Sequence, residues 1–239
     1  MDWHNAADYA FDPPLSREEW AWQFLRRNPE YVADHAWFIA TWRALEADYG
    51  APPRRDFFRW RQDPRAWRAE SDIAGCGAVA CPGENDRVLI ECWMGAKWGF
   101  AKFPIDPVVV RPAPGLELTW RTQPVEVAEV LPGEDLSLSP EKMAMVFDLA
   151  LPLPPQLDQA RIRLVGRQRA LDKAGRLPPR SVRAAAPTWT RWLRLLDGHT
   201  AGVGMDELGQ SLGLADPGAE LENAHRMTVS GYRRILSMD

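Results

Sequence analysis

The chain has 239 residues, of which 46% are hydrophobic and 26% charged, and a formal net charge of −4. That is ordinary globular composition, enough for one large or two modest domains. No apolar run approaches the roughly 18 residues of a membrane span. The opening MDWHNAADYAFD lacks the basic and apolar regions of a signal peptide, and three cysteines make no disulfide framework, so the cytoplasm is the expected location.

Residues 16–28 (SREEWAWQFLRRN) predict a helix. Ser16 is its N-cap, and Glu19 three residues on completes a capping box. Trp20 and Phe24 share a face. Pro29 suits the first turn of a second helix over 29–49. Its stripe is Tyr31, His35, Phe38, Trp42, Leu45 and Tyr49, and Gly50 with Pro52-Pro53 stops it. Residues 54–68 predict a short helix, a turn at Asp63-Pro64 and a further helical turn. Seven of the twelve Trp lie in residues 1–67. Trp at helical spacing amid mixed charge reads as core rather than as a base-stacking surface.

The middle, 73–151, loses helical periodicity. VLIECW (88–93), WGFAKF (98–103), PVVV (107–110), LELTWR (116–121), VEVAEVL (125–131) and MAMVFDLAL (143–151) are strand-like. MGAK fits a hairpin between the first two, and 131–142 is loop. A small, mostly antiparallel sheet is expected here.

Helical pattern returns over 154–175, with Leu157, Ala160, Leu164, Gln168 and Leu171 near one face. Arg161, Arg163, Arg167, Arg169 and Lys173 occupy the rest. RLPPRSVRAAAP (176–187) reads as a linker or extended arm, and 187–198 as a helix opening at Pro187 and ending at Gly198. Charge is uneven. Residues 1–160 hold 16 basic and 25 acidic residues, whereas 161–199 hold ten basic and two acidic, a local balance of +8. Basic blocks attract polyanions, nucleic acid above all.

Residues 204–229 (GMDELGQSLGLADPGAELENAHRMTV) have the pattern of a helix-turn-helix. Leu208 and Leu212 pack inward, Gly209 permits close helix approach, and Gly213 takes the positive φ of the turn. Leu214 plugs the corner, Asp216 caps the second helix, and Pro217 opens it. Helix 187–198 is the expected support. On the reading helix, Asn223 has the hydrogen-bonding edge for adenine and Arg226 for guanine. His225 and Thr228 are candidate phosphate or base contacts. Arg191, Arg194, Arg233, Arg234 and the 161–183 run are the expected phosphate contacts. Glu220 and Glu222 at the start of that helix count against phosphate proximity. They keep open an alternative: a degenerate helix-turn-helix that docks on a regulatory protein partner, as an antiactivator or assembly factor.

Other chemistry finds little support. Cys76, Cys81 and Cys92 are spaced C-x4-C-x10-C without a fourth ligand at zinc spacing. The four His are scattered, and no nucleophile elbow, Walker A or dinucleotide fingerprint is present. No enzyme activity, metal or cofactor is expected.

Several strings resemble a bacterial family of transcriptional regulators, the RovC/FseA-like proteins of mobile elements and type VI secretion regions. ADYAFDPPLSREEWAWQFLRRNPEY (7–31), YGAPPRRDFFRW and DPRAW (49–67) look like the transcriptional-regulator-like domain. KWGFAKFPIDP (97–107) and TWR (119–121) match the middle. FDLALPLPPQLDQARIRL (147–164), WLRLLDGHTAG (192–202), ELGQSLG (207–213) and SGYRRIL (230–236) look like the RovC-type DNA-binding domain. The resemblance covers most of the chain. It implies a transcriptional activator, a homo-oligomer, with its C-terminal domain on double-stranded promoter DNA. The expected architecture is α+β, with aromatic-rich N-terminal helices (1–72), a central, mostly antiparallel small sheet (73–151) and a C-terminal helix-turn-helix-like domain (152–239).

Overall fold

The computed structural model describes residues 1–73, 86–101, 103–112, 118–121, 142–177 and 181–238. The fold is α+β, dominated by helices, with one two-stranded antiparallel sheet among the described residues. Packing divides the chain into two compact units, Met1–Pro124 with Ser181–Asp239, and Val125–Arg180. This division cuts across the three segments read from the sequence. The helix after residue 152 falls in one unit and the helices after 181 in the other.

In the first unit, α1 (Arg17–Leu25) starts as predicted. The Ser16 hydroxyl accepts from the Glu19 amide at 3.2 Å, and the Glu19 carboxylate accepts from the Ser16 amide at 2.8 Å. The Asn28 side chain accepts from the Glu30 and Tyr31 amides at 2.8 and 3.2 Å, capping α2 (Pro29–Tyr49). The two helices are buried differently. On α2 one stripe faces inward: Tyr31, His35, Phe38 and Leu45. On α1 every residue from Trp20 to Leu25 is buried, so the helix is enclosed on all sides rather than lying on a surface.

What encloses α1 corrects the sequence reading of 107–110. That run is no strand. It is a strap that turns at 106–109, the Val109 amide donating to the Asp106 carbonyl at 2.9 Å, and its carbonyls are satisfied by side chains of α1 instead of a ladder partner. Trp22 Nε1 donates to the Val109 carbonyl at 2.9 Å, Gln23 Nε2 to that of Val110 at 2.6 Å, and Arg26 Nε to that of Pro107 at 2.9 Å. Tyr31 Oη adds a bond to the Ile105 carbonyl at 2.5 Å.

After α3 (Phe57–Gln62) and a short turn capped by Asp63, β1 (Trp67–Ala69) pairs antiparallel with β2 (Arg87–Leu89), Arg68 opposite Val88. Then α4 (Ile90–Trp98) begins, where a strand and hairpin were expected. Ile90, Trp93, Met94 and Trp98 are buried at helical spacing, and a helix, not a strand, puts all four into the core. Among the described residues of the expected strand at 98–103, only Phe100 pairs, through an isolated antiparallel bridge to Trp120, with the two rings stacked at 4.7 Å. The expected strand at 125–131, most of the 131–142 loop, and Cys76 and Cys81 lie outside the described residues.

In the second unit, α5 (Leu153–Lys173) follows the segment 142–152, which is irregular, turns at 148–151 and has no strand over 143–151. Gln156 clips the two together, exchanging bonds of 2.9 Å with the Asp148 amide and carbonyl. Only Ala160 and Leu171 of α5 are buried.

Back in the first unit, α6 (Val182–Thr200) starts five residues earlier than predicted, so 182–186 is helix rather than linker and Pro187 lies inside. Ser181 caps it, and the Ala184–Ala186 run has high helix propensity. Together they outweigh the single hydrogen bond that Pro187 removes near the start. Then follow α7 (Met205–Leu212), α8 (Pro217–Arg226), a five-residue π-type segment (Met227–Gly231) and α9 (Tyr232–Ile235). The main core joins residues of α1, α2, α4, α6 and α9. Among the described residues, no helix is long and apolar enough to cross a membrane.

Candidate nucleic-acid interface

The three helices α6, α7 and α8 close around a small apolar cluster of Leu195, Leu208 and Leu212, with Val203, Met205, Leu214 and Leu221 at its edge. The turn between α7 and α8 has the predicted chemistry. Gly213 sits at φ +64°, a left-handed conformation that costs other residues energy, and the Leu214 amide donates back to the Gly209 carbonyl at 2.9 Å. Asp216 accepts from the Ala219 amide at 2.9 Å and Pro217 opens α8.

The fourth member of the cluster comes from the other end of the chain. Trp3, 5% exposed, packs on Leu195, Leu208 and Leu212. Gly198 on α6 makes room for it: a Cβ there would lie 2.5 Å from Leu208 and 3.0 Å from the Trp3 ring. Arg194 holds this N-terminal segment, donating to the Trp3 carbonyl at 2.8 Å and the His4 carbonyl at 3.1 Å. The sequence reading has it on a phosphate; in the structure the half-buried side chain is engaged by these two carbonyls.

A second link is ionic. Arg27, whose side chain is 8% exposed, binds Asp197 of α6 through both carboxylate oxygens at 2.6 and 2.8 Å. The Tyr9 hydroxyl donates to the same carboxylate at 2.6 Å. Burial works against the charge on Asp197. Arg27 and Tyr9 outweigh it and hold the carboxyl below its ordinary value near 3.8. Burial, and then Asp197, push the Tyr9 hydroxyl up. A third link is the Asn28 side-chain amide, which donates to the Thr228 carbonyl at 3.0 Å. None of these links has a local sequence signature, since the partners lie some 170 to 200 positions apart.

The outer face of α8 and the segment after it exposes Gly218, Ala219, Glu222, His225, Arg226, Val229 and Ser230, with Asn223 half-buried. Arg226 donates to the Asn223 side-chain oxygen one turn earlier, so the two candidate base-reading groups are adjacent. Glu220 is turned inward and accepts from the Trp192 indole of α6. The acidic start of the reading helix is thereby reduced to Glu222. His225 packs edge-on against His199 at 5.7 Å. Partial burial and then His199 hold its pKa below the usual 6.5, which favours the neutral ring.

The remaining candidates separate. Arg191 and Arg234 are exposed, without a protein partner among the described residues. Thr228 is 1% exposed, and its hydroxyl donates to the His225 carbonyl at 2.8 Å. Half-buried Arg233 donates to Tyr232 Oη at 3.1 Å and to the Lys97 carbonyl. The basic residues of α5 are exposed but belong to the other unit. Arg161 and Arg163, two positions apart, point roughly 200° apart around that helix.

Residues 2–64 match the family described as proteobacterial transcriptional regulator-like domain. The match is confined to the N-terminal stretch and covers about a quarter of the chain. No curated protein and no solved structure matches. Within its bounds the regulator-like domain holds Trp3, Tyr9, Arg27 and Asn28. These are the residues that contact α6 and the π-type segment after α8.

Proposed function

We propose that this chain is a DNA-binding transcriptional regulator that meets duplex DNA with the outer face of α8. The observation that carries the reading is the three-helix arrangement itself. Its turn has helix-turn-helix chemistry, Asn223 and Arg226 lie together on the open face, and Glu220 is withdrawn onto Trp192. The regulator-like domain supports it by supplying residues that contact α6 and the π-type segment after α8. Arg191 and Arg234 are the phosphate contacts, and Asn223 and Arg226 read bases, with His225 as a further hydrogen-bonding group. Arg194, Thr228 and Arg233 hold the scaffold instead. In this reading the protein acts in the cytoplasm as a homo-oligomeric activator of a mobile-element or secretion-type operon, through a RovC-type C-terminal domain.

One observation favours the other reading, a protein-docking module. Val229 is 64% exposed on the same face as Glu222. Fluorescence anisotropy with the DNA upstream of the gene, at two salt concentrations, separates them. DNA binding weakens steeply with salt as counterions are released. Absence of binding at low salt overturns the proposal in favour of a protein partner.

A further inference from the structure

Helix α5 is bare for its length. Of its 21 residues only Ala160 and Leu171 are buried, while Leu157, Leu164 and Ile162 are 55%, 45% and 64% exposed. Most of the stability of a helix comes from packing an apolar face, so an uncovered stripe of this length marks a face made for a neighbour. The stripe is also grooved. Two cavities, of about 590 and 270 Å³, lie against α5 and share Met143. The larger takes in Pro155 to Arg163 of the helix, walled by Met145 and Phe147, and the smaller Leu164 to Leu171, closed by Leu177. Together they follow about 24 Å of the helix, at 1.5 Å per residue. An apolar groove that follows a helix has the form that takes a second helix.

Charge says which kind. Residues 153–173 hold four Arg and one Lys against Asp158 and Asp172. At 100° per residue, Arg161 lies on one flank of the Leu157–Leu164 line, and Arg163 and Arg167 on the other. Arg163 lines the larger cavity and Arg167 the smaller. None of these three has a carboxylate partner among the described residues. The occupant is therefore apolar along its centre and acidic along its edges. Other occupants satisfy only part of this. A second α5 would set arginine against arginine. Duplex DNA would meet the arginines and leave the leucines in water. A bilayer needs one apolar face with the cations behind it, but exposed Ile162 stands on the far side of the helix from Leu164, with arginines between.

We propose that α5 is the docking face for an acidic amphipathic helix of a partner protein. Apolar side chains of that helix, three and four residues apart, enter the groove. Its carboxylates meet Arg161 on one edge and Arg163 and Arg167 on the other. The site lies within the second unit, so it stands or falls independently of the DNA reading on α8.

The test uses the full chain and a fluorescein-labelled peptide of three heptads, with Leu at a and d and Glu at e and g. Repulsion between the Glu side chains keeps this peptide from pairing with itself at pH 7. Anisotropy shows saturable binding at low salt that weakens as salt rises. A peptide with Lys in place of Glu binds at least tenfold more weakly. Leu157→Asp and Leu164→Asp, at exposed positions, leave the urea midpoint in place and weaken binding of the Glu peptide about tenfold. Arg161→Glu combined with Arg163→Glu reverses the preference between the two peptides. Should an Asp variant fail to fold, this charge reversal carries the test. Absence of Glu-peptide binding at low salt, or equal binding by parent and variants, overturns the proposal. So does loss of duplex-DNA binding, of phosphatidylserine-vesicle binding or of self-association in a correctly folded Leu157→Asp protein, each of which assigns α5 to that other occupant.

Discussion

Helices α5 and α6 are of similar length, and both carry arginines around an apolar stripe. On α6, Ala185, Trp189, Leu193, Leu195, Leu196 and Gly198 are buried. On α5, Leu153, Leu157 and Leu164 remain 44%, 55% and 45% exposed. The difference does not lie in the stripes, which are equally legible. It lies in what covers them. For α6 the cover is α1, α7, α8 and an N-terminal segment delivered by Trp3. A helical pattern names the face that wants burial, and only the tertiary fold supplies the neighbour.

Substitutions sharpen the contrast. Trp189, 5% exposed against Trp20 and Phe24, is the anchor of α6. Trp189→Ala should cost about 3–5 kcal/mol in urea unfolding, whereas Leu157→Ala or Leu164→Ala on α5 should stay within about 0.5 kcal/mol. A loss from Leu164→Ala as large as that from Trp189→Ala would mean that the α5 stripe is covered after all.

The next largest effect belongs to the ionic link. Asp197→Asn leaves Arg27 without its carboxylate and should cost about 3 kcal/mol at pH 7, near the low end for stranding a buried ion, because Asp197 keeps some exposure. Its pH dependence has a definite sign. The Asp197 pKa is depressed in the folded state, so its contribution is complete above the ordinary value near 3.8 and disappears as pH falls through the depressed one. Acid unfolding of Asp197→Asn should therefore be flatter below about pH 4 than that of the parent protein, followed by circular dichroism. An unchanged acid limb would remove Asp197 from the account.

A smaller effect comes from histidine. Burial depresses the pKa of His35 and, together with His199, that of His225. Both favour neutral rings, so stability present above about pH 6.5 should fall as the medium is acidified toward their folded values. His35→Phe should remove part of that slope between pH 7 and 5, by less than about 1 kcal/mol, measured as a urea midpoint at each pH.

Much of the fold was legible before the structure. The capping box at Ser16, the span of α2 and the Gly213 turn all depend on neighbours within a few residues. The helix at 90–98 is not among these: the sequence reading gives a strand and a hairpin there, although Ile90, Trp93, Met94 and Trp98 have helical spacing. A short apolar run beside Gly and Pro was read as β because short runs fit both periods. The strap at 105–110 was not legible: its carbonyls are satisfied by Trp22, Gln23 and Arg26, more than 80 positions away. The same limit holds for the candidate interface. Sequence brought Asn223 and Arg226 together, one helical turn apart. What it does not reveal is that Trp3 and His4, some 190 positions away, supply acceptors for Arg194.

The central claim is that α8 reads DNA, and Arg226 tests it most directly. Parent and Arg226→Ala proteins should be titrated against the upstream DNA and against a scrambled duplex of equal length, at one salt concentration. The account predicts that Arg226→Ala weakens binding to the upstream DNA by about 1–3 kcal/mol, and binding to the scrambled duplex far less. Equal affinity of the two proteins for the upstream DNA would contradict it.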